Sequence, residues 1–220
     1  MDTLRGIQLL ERVGTAQLQS AAEKLVLSLR ADLVRAMDGG DQNAATRLQE
    51  LFAQRLSEMV SMINRDQFFG ITDEDALVAV SGFDHAGWTN DNQKVYELER
   101  VVTMPGYERR GFSKQIMAVV HEALYEDPVR SDSPTVLYTE QNAIKKNAVR
   151  MGYAPISTHE YLARTALVPR DPQFPQWAEE DTENQKRAAS GELPPDTTYW
   201  QAFMFAPRPV KKNSVSASDD

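Results

Sequence analysis

Cysteine is absent from this chain of 220 residues, so disulfide bonds and thiolate metal sites are excluded. Histidine is scarce, and His85, His121 and His159 are scattered, which argues against a histidine-rich zinc site. No apolar run reaches the length of a transmembrane helix. The first residues also lack the basic end and apolar core of a secretory signal. We therefore expect a cytoplasmic protein that binds no metal and no membrane.

Basic residues are also fewer than acidic ones. The 24 Lys and Arg residues stand against 32 Asp and Glu residues, which gives a formal net charge of −8 at pH 7. This balance argues against a nonspecific nucleic-acid-binding protein and is compatible with cationic substrates. The length suits one domain, predicted over residues 1–206. The polar tail at 207–220 is predicted to be disordered.

Apolar periodicity and turn residues predict that strands and helices alternate. Strands are predicted over residues 6–12, 76–83, 94–104, 134–140, 159–165 and 197–205. Helices are predicted from Thr15 to a break at 38–41, along the apolar stripe of 48–63, from 112 to the Asp-Pro pair at 127–128, and over 142–151. The order β-α-α-β-β-α-β-α-β-β indicates an α/β fold with a layered sheet.

The stretch VVTMPGYERRGFSKQIM at 101–117 joins a predicted strand to a predicted helix. A helix N-terminus carries unpaired N–H groups and partial positive charge, and Gly111 allows a ligand to approach the backbone. The neighbouring polar and cationic side chains are Arg109, Arg110, Ser113 and Lys114. This set suits a pyrophosphate, although it matches neither of the two common phosphate-loop motifs. The alternative is a plain strand–turn–helix with solvated arginines.

Two segments resemble a known family. PGYERRGFSKQIM is similar to the acyl-CoA-binding motif of the GCN5-related N-acetyltransferases. TVLYTEQNAIKKNAVRMGYAPI resembles the strand and helix that follow in that family and end in Gly-Phe or Gly-Tyr. The two motifs stand at the family's separation, and the element order fits its core from about residue 6 to 205. The resemblance implies a mixed central sheet flanked by helices, with acetyl-CoA as co-substrate.

The resemblance also implies a set of residues that bind acetyl-CoA. In the family, the central strand separates from its neighbour at a bulge, and its backbone there holds the pantetheine and polarises the thioester. The positions that match are Val101, Val102 and Thr103, followed in the turn and helix by Arg109, Arg110, Gly111, Phe112, Ser113 and Lys114. Gln141 or Asn142 matches an asparagine that touches the pantetheine arm, and Asn142 could equally be a helix N-cap.

Two glutamates on the predicted central strand are candidate catalytic bases. Glu97 lies fourteen residues before Gly111, a spacing similar to that of the base in histone-modifying members of the family. Glu99 points to the same side if the strand is regular. Partial burial beside a second carboxylate would raise the pKa of one of them toward neutrality. The alternative is a solvated strand face on which both glutamates are merely polar.

Three positions depart from the family pattern. Glu108 stands where Gln or Arg is usual, although Arg109 and Arg110 could offset its charge near a pyrophosphate. Ser113 replaces Gly or Ala, which is a mild change. Ala148 replaces a tyrosine that protonates the departing thiolate in many members.

The resemblance and these departures leave two main functional hypotheses open. The first is an N-acetyltransferase acting on a small amine, a polyamine or a protein amino group. The second is a module with weak or no activity that binds CoA or a protein partner. Aminoacyl transfer from charged tRNA shares the fold but normally needs a basic surface, which this chain lacks.

The acceptor and the oligomeric state are less well specified. Residues 169–196 carry many carboxylates together with Trp177, and an acidic wall of this kind would attract a cationic amine. The alternative is a solvated surface excursion. The two helices before residue 64 each bury one face, and their length could also support a homodimer.

Overall fold

A computed structural model describes residues 1–166, 174–194 and 199–207, without the side chains of 174–177. Its strands are β1 (Asp2–Arg5), β2 (Phe68–Asp73), β3 (Ala76–Trp88), β4 (Lys94–Thr103), β5 (Thr135–Thr139), β6 (Ala154–Ile156) and β7 (Gln201–Phe205). Its helices are α1 (Ile7–Leu29), α2 (Ala31–Asp38), α3 (Gln42–Asn64), α4 (Phe112–Glu126), α5 (Asn142–Arg150), α6 (Thr158–Arg164) and α7 (Phe174–Ala189).

The described strands form one mixed sheet in the order β1-β2-β3-β4-β5-β7-β6. The β4–β5 pair is parallel, whereas the other pairs are antiparallel. Parallel neighbours need a crossover connection, and α4 provides it. The predicted α/β class, with a mixed central sheet flanked by helices, is confirmed.

Helices cover both faces of this sheet. On one face α4 buries an apolar stripe against β2, β3 and β4 that includes Ile116, Val120 and Leu124. On the other face α1 and α3 pack Leu18, Met59 and other apolar residues against the sheet. Burying one such side chain contributes about 1.5–3 kcal/mol. Because side chains alternate along a strand, the Leu98 side chain of β4 lies on the α4 face of the sheet and the Glu97 side chain lies on the opposite face.

Several element predictions were wrong. Gly6 is the N-cap of α1 and residues 7–12 belong to this helix, which is kinked at Gly14 (φ 69°) just before the predicted start at Thr15. The strand β2 was missed, and the helix predicted to run from Thr15 to 38–41 is divided at Arg30 into α1 and α2. Residues 159–165 lie mostly in α6, a helix that Ser157 caps, rather than in a strand. Part of the polar 169–196 segment forms α7. The tail at 208–220 lies outside the described residues.

Candidate active site

A bulge in β4 separates this strand from β5. Val80 pairs with Val102 and Gly82 with Glu99, so β4 has one residue more than β3 across this interval. The extra residue is accommodated at Arg100, whose φ is 57°. In the described sheet β4 pairs with β5 only through Tyr96 and Glu97. Beyond Glu97 the two strands diverge, and the gap expected from the family resemblance is present.

Ion pairs hold the bulge against α3. Arg100 is 10% exposed and donates from Nη2 to Glu58 Oε2 at 2.9 Å, and it also pairs with Glu99. Glu58 accepts a second hydrogen bond at 2.6 Å, from Arg55 Nη1. Burial opposes the charged form of Glu58, but Arg100 and Arg55 outweigh burial and lower its pKa. These contacts stabilise a backbone conformation that costs about 1–3 kcal/mol in a residue other than glycine.

The turn after β4 presents the start of α4 to solvent. Gly111 is the N-cap with a left-handed φ of 87°, and a Cβ built on it would meet no atom within 4 Å. In the part of the chain that the structure describes, no protein group accepts the N–H groups of Gly111, Phe112 or Ser113. Free N–H groups and open space beside them are what an anion needs at a helix N-terminus.

A cleft of about 730 Å³ runs along the gap from this turn. The predicted acetyl-CoA-binding residues that line it are Val101, Val102, Thr103, Arg109, Gly111, Phe112, Ser113, Lys114 and Gln141. Lys24, Lys146 and Arg150 add positive charge from α1 and α5.

Two predicted ligand-binding residues do not line the cleft. The Arg110 guanidinium lies over the Tyr107 and Phe112 rings, at 5.3 and 5.4 Å from their centroids. Asn142 is the first residue of α5, whereas Gln141 is both the N-cap and a cleft residue. The N-cap prediction for Asn142 was therefore wrong, and between these two neighbours the structure places Gln141 at the cleft.

Lys24, on α1, is a cleft residue that the sequence reasoning missed. Its Nζ lies 2.5 Å from Glu108 Oε1 and 2.5 Å from the Thr103 carbonyl oxygen. The hydrogen bond from Lys24 lowers the pKa of Glu108 to about 2. Glu108 also accepts the Gly106 N–H at 2.7 Å. The glutamate that departs from the family pattern is thus neutralised by Lys24, where we expected Arg109 and Arg110.

A second cavity of about 160 Å³ adjoins the cleft. The residues common to both are Leu25, Val101, Glu140, Gln141 and Ile144. Glu97 and Glu99 both line this second cavity, as their shared strand face predicts. Burial raises the pKa of Glu99, although Arg100 opposes this shift. Burial also raises the pKa of Glu140.

Aromatic side chains surround the Glu97 end of the second cavity. Glu97 is 8% exposed, and its Oε1 accepts a hydrogen bond of 2.5 Å from the Tyr161 hydroxyl. Tyr138 stacks on Tyr161 at 4.8 Å and on Trp200 at 4.9 Å. Its hydroxyl donates to Asp181 on α7. Tyr161 was not among the predicted site residues, because 159–165 was assigned to a strand.

Several residues of α4, of α5 and of the segment after α5 have structural roles. Ala148 is completely buried, and its neighbour Asn147 donates to Ser113 Oγ at 3.2 Å. Tyr153 packs in the core. His121 Nδ1 lies 3.3 Å from the Tyr153 hydroxyl, and burial lowers its pKa.

The predicted acidic wall is not found in the described part of 169–196. The carboxylates with described side chains there line neither the cleft nor the second cavity, and they are Glu179, Glu180, Asp181, Glu183 and Glu192. The prediction was therefore wrong for these residues. Asp171, Asp196 and the Trp177 side chain lie outside what the structure describes.

Neither a metal site nor a membrane-spanning helix occurs among the described residues. No group of three or more His, Cys, Asp or Glu side chains there could hold a metal ion. None of the described helices has the length and apolar character to cross a membrane.

No family model and no curated protein matches the chain. The bulge in β4, the gap beside it and the open turn before α4 are the features that the sequence resemblance implied. The seven-stranded mixed sheet with helices on both faces agrees with the fold that this resemblance implied.

Solved structures with similar folds include a GCN5-related N-acetyltransferase from Kribbella flavida, with 20% identity, a TM-score of 0.39, and 47% of this chain and 25% of that chain covered. Another, from Ralstonia eutropha, has 17% identity, a TM-score of 0.43 and coverage of 61% and 88%. The Bacillus subtilis N-acetyltransferase YlbP, solved with coenzyme A, has 15% identity, a TM-score of 0.36 and coverage of 71% and 80%. Likenesses at this level establish neither a ligand nor an activity for this chain.

Proposed function

We propose that this chain is an acetyl-CoA-dependent N-acetyltransferase that transfers an acetyl group to an amine. One observation carries the proposal. A single cleft begins at the free N–H groups of α4, follows the β4–β5 gap, and adjoins a cavity lined by Glu97. Such a path connects an anion site, an extended channel and a carboxylate, which are the three parts that this reaction needs.

The α4 end of the cleft suits the diphosphate of CoA. The N–H groups of Gly111, Phe112 and Ser113 and the partial positive charge of the helix N-terminus would bind it. Cationic side chains from the turn and from two helices would add attraction, and they are Arg109, Lys114, Lys146 and Arg150. Because Gly111 has open space where a Cβ would be, the phosphate oxygens can approach the backbone closely.

The acetyl transfer takes place, in this proposal, where the cleft adjoins the second cavity. With the pantetheine along Val101–Thr103, the acetyl group lies near Val101, which lines both cavities. The acceptor ammonium enters the second cavity and gives one proton to Glu97. The amine nitrogen then forms a bond to the thioester carbonyl carbon, and the carbon–sulfur bond breaks. The nitrogen loses its second proton as the CoA thiolate leaves and becomes the thiol.

The buried Ala148 favours a second candidate function. Since this position has no hydroxyl, α5 does not supply the tyrosine that protonates the thiolate in many family members. A module that binds CoA without turnover is consistent with this loss. The oligomeric state stays a prediction under both functions.

The first test compares two glycines of the same turn. Gly111 and Gly106 both have left-handed φ values, 87° and 84°, and a Cβ on either would meet no atom within 4 Å. Only Gly111 lines the cleft. We expect Gly111→Ala to weaken acetyl-CoA binding at least tenfold in calorimetry, because its methyl group enters the phosphate site. Gly106→Ala should carry a similar backbone cost of about 1–2 kcal/mol without loss of affinity.

Thiol release from acetyl-CoA, measured with a panel of amines, completes the test. Turnover with any amine supports the transferase, whereas binding without turnover on the whole panel supports the binding module. If the wild-type protein does not bind acetyl-CoA, or if the two glycine variants lose affinity equally, the proposed site is wrong.

A further inference from the structure

The helices α6 and α7 lie in sequence between two paired strands, and each contacts a residue that lines the second cavity, Glu97 for α6 and Tyr138 for α7. β6 and β7 are antiparallel neighbours, yet 44 residues separate Ile156 from Gln201. Tyr161, on α6, is 2% exposed, and its hydroxyl oxygen lies 2.5 Å from Glu97 Oε1. A buried hydroxyl and a buried carboxylate, 64 residues apart in sequence, therefore form a short hydrogen bond beside the gap.

We propose that Tyr161 is a positioning residue for Glu97, an inference that rests on the proposed function. The hydroxyl donates to the carboxylate, which stabilises its charged form and fixes its orientation on β4. A base that must accept a proton from an ammonium has to be ionised before the amine arrives. The hydrogen bond from Tyr161 offsets part of the desolvation that burial imposes on this carboxylate.

The backbone of α6 is held firmly enough to position a side chain. Ser157 Oγ accepts the Glu160 N–H at 3.1 Å and caps the helix. At the other end, the Thr165 hydroxyl donates to the Tyr161 carbonyl at 2.7 Å. The same end lies directly on β3, because a Cβ at Gly87 would be 2.1 Å from the Arg164 carbonyl oxygen. The side-chain amide of Gln185, on α7, donates to Thr158 Oγ1 at 3.0 Å.

The Tyr161 ring is also confined. It stacks on Tyr138 with centroids 4.8 Å apart and an interplanar angle of 17°. Tyr138 in turn stacks on Trp200, and its hydroxyl donates to Asp181. A ring packed in this way has few alternative rotamers, so its hydroxyl stays directed at Glu97.

Two of the described ionisable groups near Glu97 are held in ion pairs. On β3, Asp84 is the register partner of Glu97 and is paired with Arg65 at 2.7 Å. On β4, Glu99 is paired with Arg100. From α3, β5 and α7 the neighbouring groups are Arg55, Tyr138, Glu140 and Asp181. Removal of the Tyr161 hydroxyl alters none of these charges, so an effect on Glu97 can be assigned to the lost hydrogen bond.

The test compares Tyr161→Phe with Tyr125→Phe. Tyr125 is a partly buried tyrosine whose hydroxyl hydrogen-bonds to Thr135 Oγ1 at 2.7 Å, away from both cavities. In full-length protein with ¹³C-labelled glutamate, Glu97→Gln identifies the Glu97 carboxyl signal. We expect Tyr161→Phe to move the titration midpoint of that signal up by about one pH unit. The acidic limb of kcat/KM should move by the same amount, and Tyr125→Phe should move neither.

The outcomes separate this inference from the proposed function. An unchanged midpoint in Tyr161→Phe, or a rate loss that is equal at every pH, overturns the positioning role even if the wild-type enzyme is active. A wild-type protein without turnover overturns the proposed function and with it the catalytic meaning of this contact. A raised midpoint together with a shifted acidic limb, with acetyl-CoA affinity unchanged, supports the inference.

Discussion

Glu97 and Glu99 lie two residues apart on one strand face, but they have different partners. Glu97 accepts a hydrogen bond from a neutral hydroxyl, whereas Glu99 forms an ion pair with Arg100 at the bulge. An ammonium that approached Glu99 would also meet the adjacent Arg100 guanidinium, whose positive charge repels it. We therefore assign the base to Glu97 and a structural role at the bulge to Glu99.

This assignment predicts unequal effects of two matched variants. Glu97→Gln should lower kcat for thiol release at least a hundredfold, the usual minimum for loss of a general base, with little change in acetyl-CoA affinity. Glu99→Gln should cost less than tenfold in kcat but lower the urea midpoint of unfolding, since Arg100 loses a partner. Equal rate losses, or a larger loss in Glu99→Gln, would reverse the assignment.

The Lys24–Glu108 pair gives a prediction about pH. Lys24 depresses the pKa of Glu108 from 4.5 in the unfolded chain to about 2 in the folded one. A depressed carboxyl pKa contributes stability that is present above pH 4.5 and is lost as the pH falls toward 2. The difference in urea stability between wild type and Lys24→Met should therefore shrink as the pH falls from 6 to 3.

Glu108→Gln is the matched control for this pair. It removes the titrating group, so the difference between Glu108→Gln and Lys24→Met should vary little over the same pH range. Because the pair is exposed, added salt should reduce the effect. A wild-type advantage that stays constant from pH 6 to 3 would contradict the coupling.

At the scale of elements, the contact between α6 and β3 determines where Tyr161 lies. A methyl group at Gly87 would lie 2.1 Å from the carbonyl oxygen and 2.9 Å from the carbonyl carbon of Arg164. Neither atom is the end of a flexible side chain, so the helix itself must move. The turn before α4 follows the end of β4, whereas Gly87 pairs with Val95 near the start of that strand.

Gly87→Ala should therefore separate catalysis from binding. We expect kcat to fall at least tenfold as α6 shifts, while calorimetry gives an unchanged affinity for acetyl-CoA. Gly70→Ala, on β2, is the control, because its Cβ would meet the side chains of Leu9 on α1 and Leu77 on β3 rather than the backbone of α6. It should reduce stability without a comparable loss of kcat. A parallel loss of affinity in Gly87→Ala would indicate a general disturbance of the sheet.

At the scale of the whole molecule, charge is distributed unevenly. The chain carries a net charge of −8, yet four separate segments bring cationic side chains to one cleft. These residues are Lys24, Arg109, Lys114, Lys146 and Arg150. The net charge therefore did not predict the charge of this cleft, because local fields depend on which residues lie close together in space.

Local sequence signals predicted the centre of the fold well. The strand predicted over 94–104, the helix starting at 112 and the open turn at Gly111 match β4, α4 and its N-cap closely, because each depends on residues near in sequence. Short apolar runs were less informative. Residues 6–12 and 159–165 were predicted as strands, but residues 7–12 and 159–164 are helical, since an apolar run of that length fits either structure. The interior glycine of β2, Gly70, weakened its strand signal.

By itself, the sequence determined the α/β order around the motif, the open turn before α4 as a candidate anion site and the two candidate glutamates, because short-range spacing fixes all three. Only the tertiary structure decided which glutamate is paired with Arg100, that Lys24 neutralises Glu108, and that Tyr161 contacts Glu97. The physical reason is distance along the chain. Lys24 and Tyr161 lie 84 and 64 residues from their partners, and packing of helices onto the sheet, rather than any local pattern, brings them together.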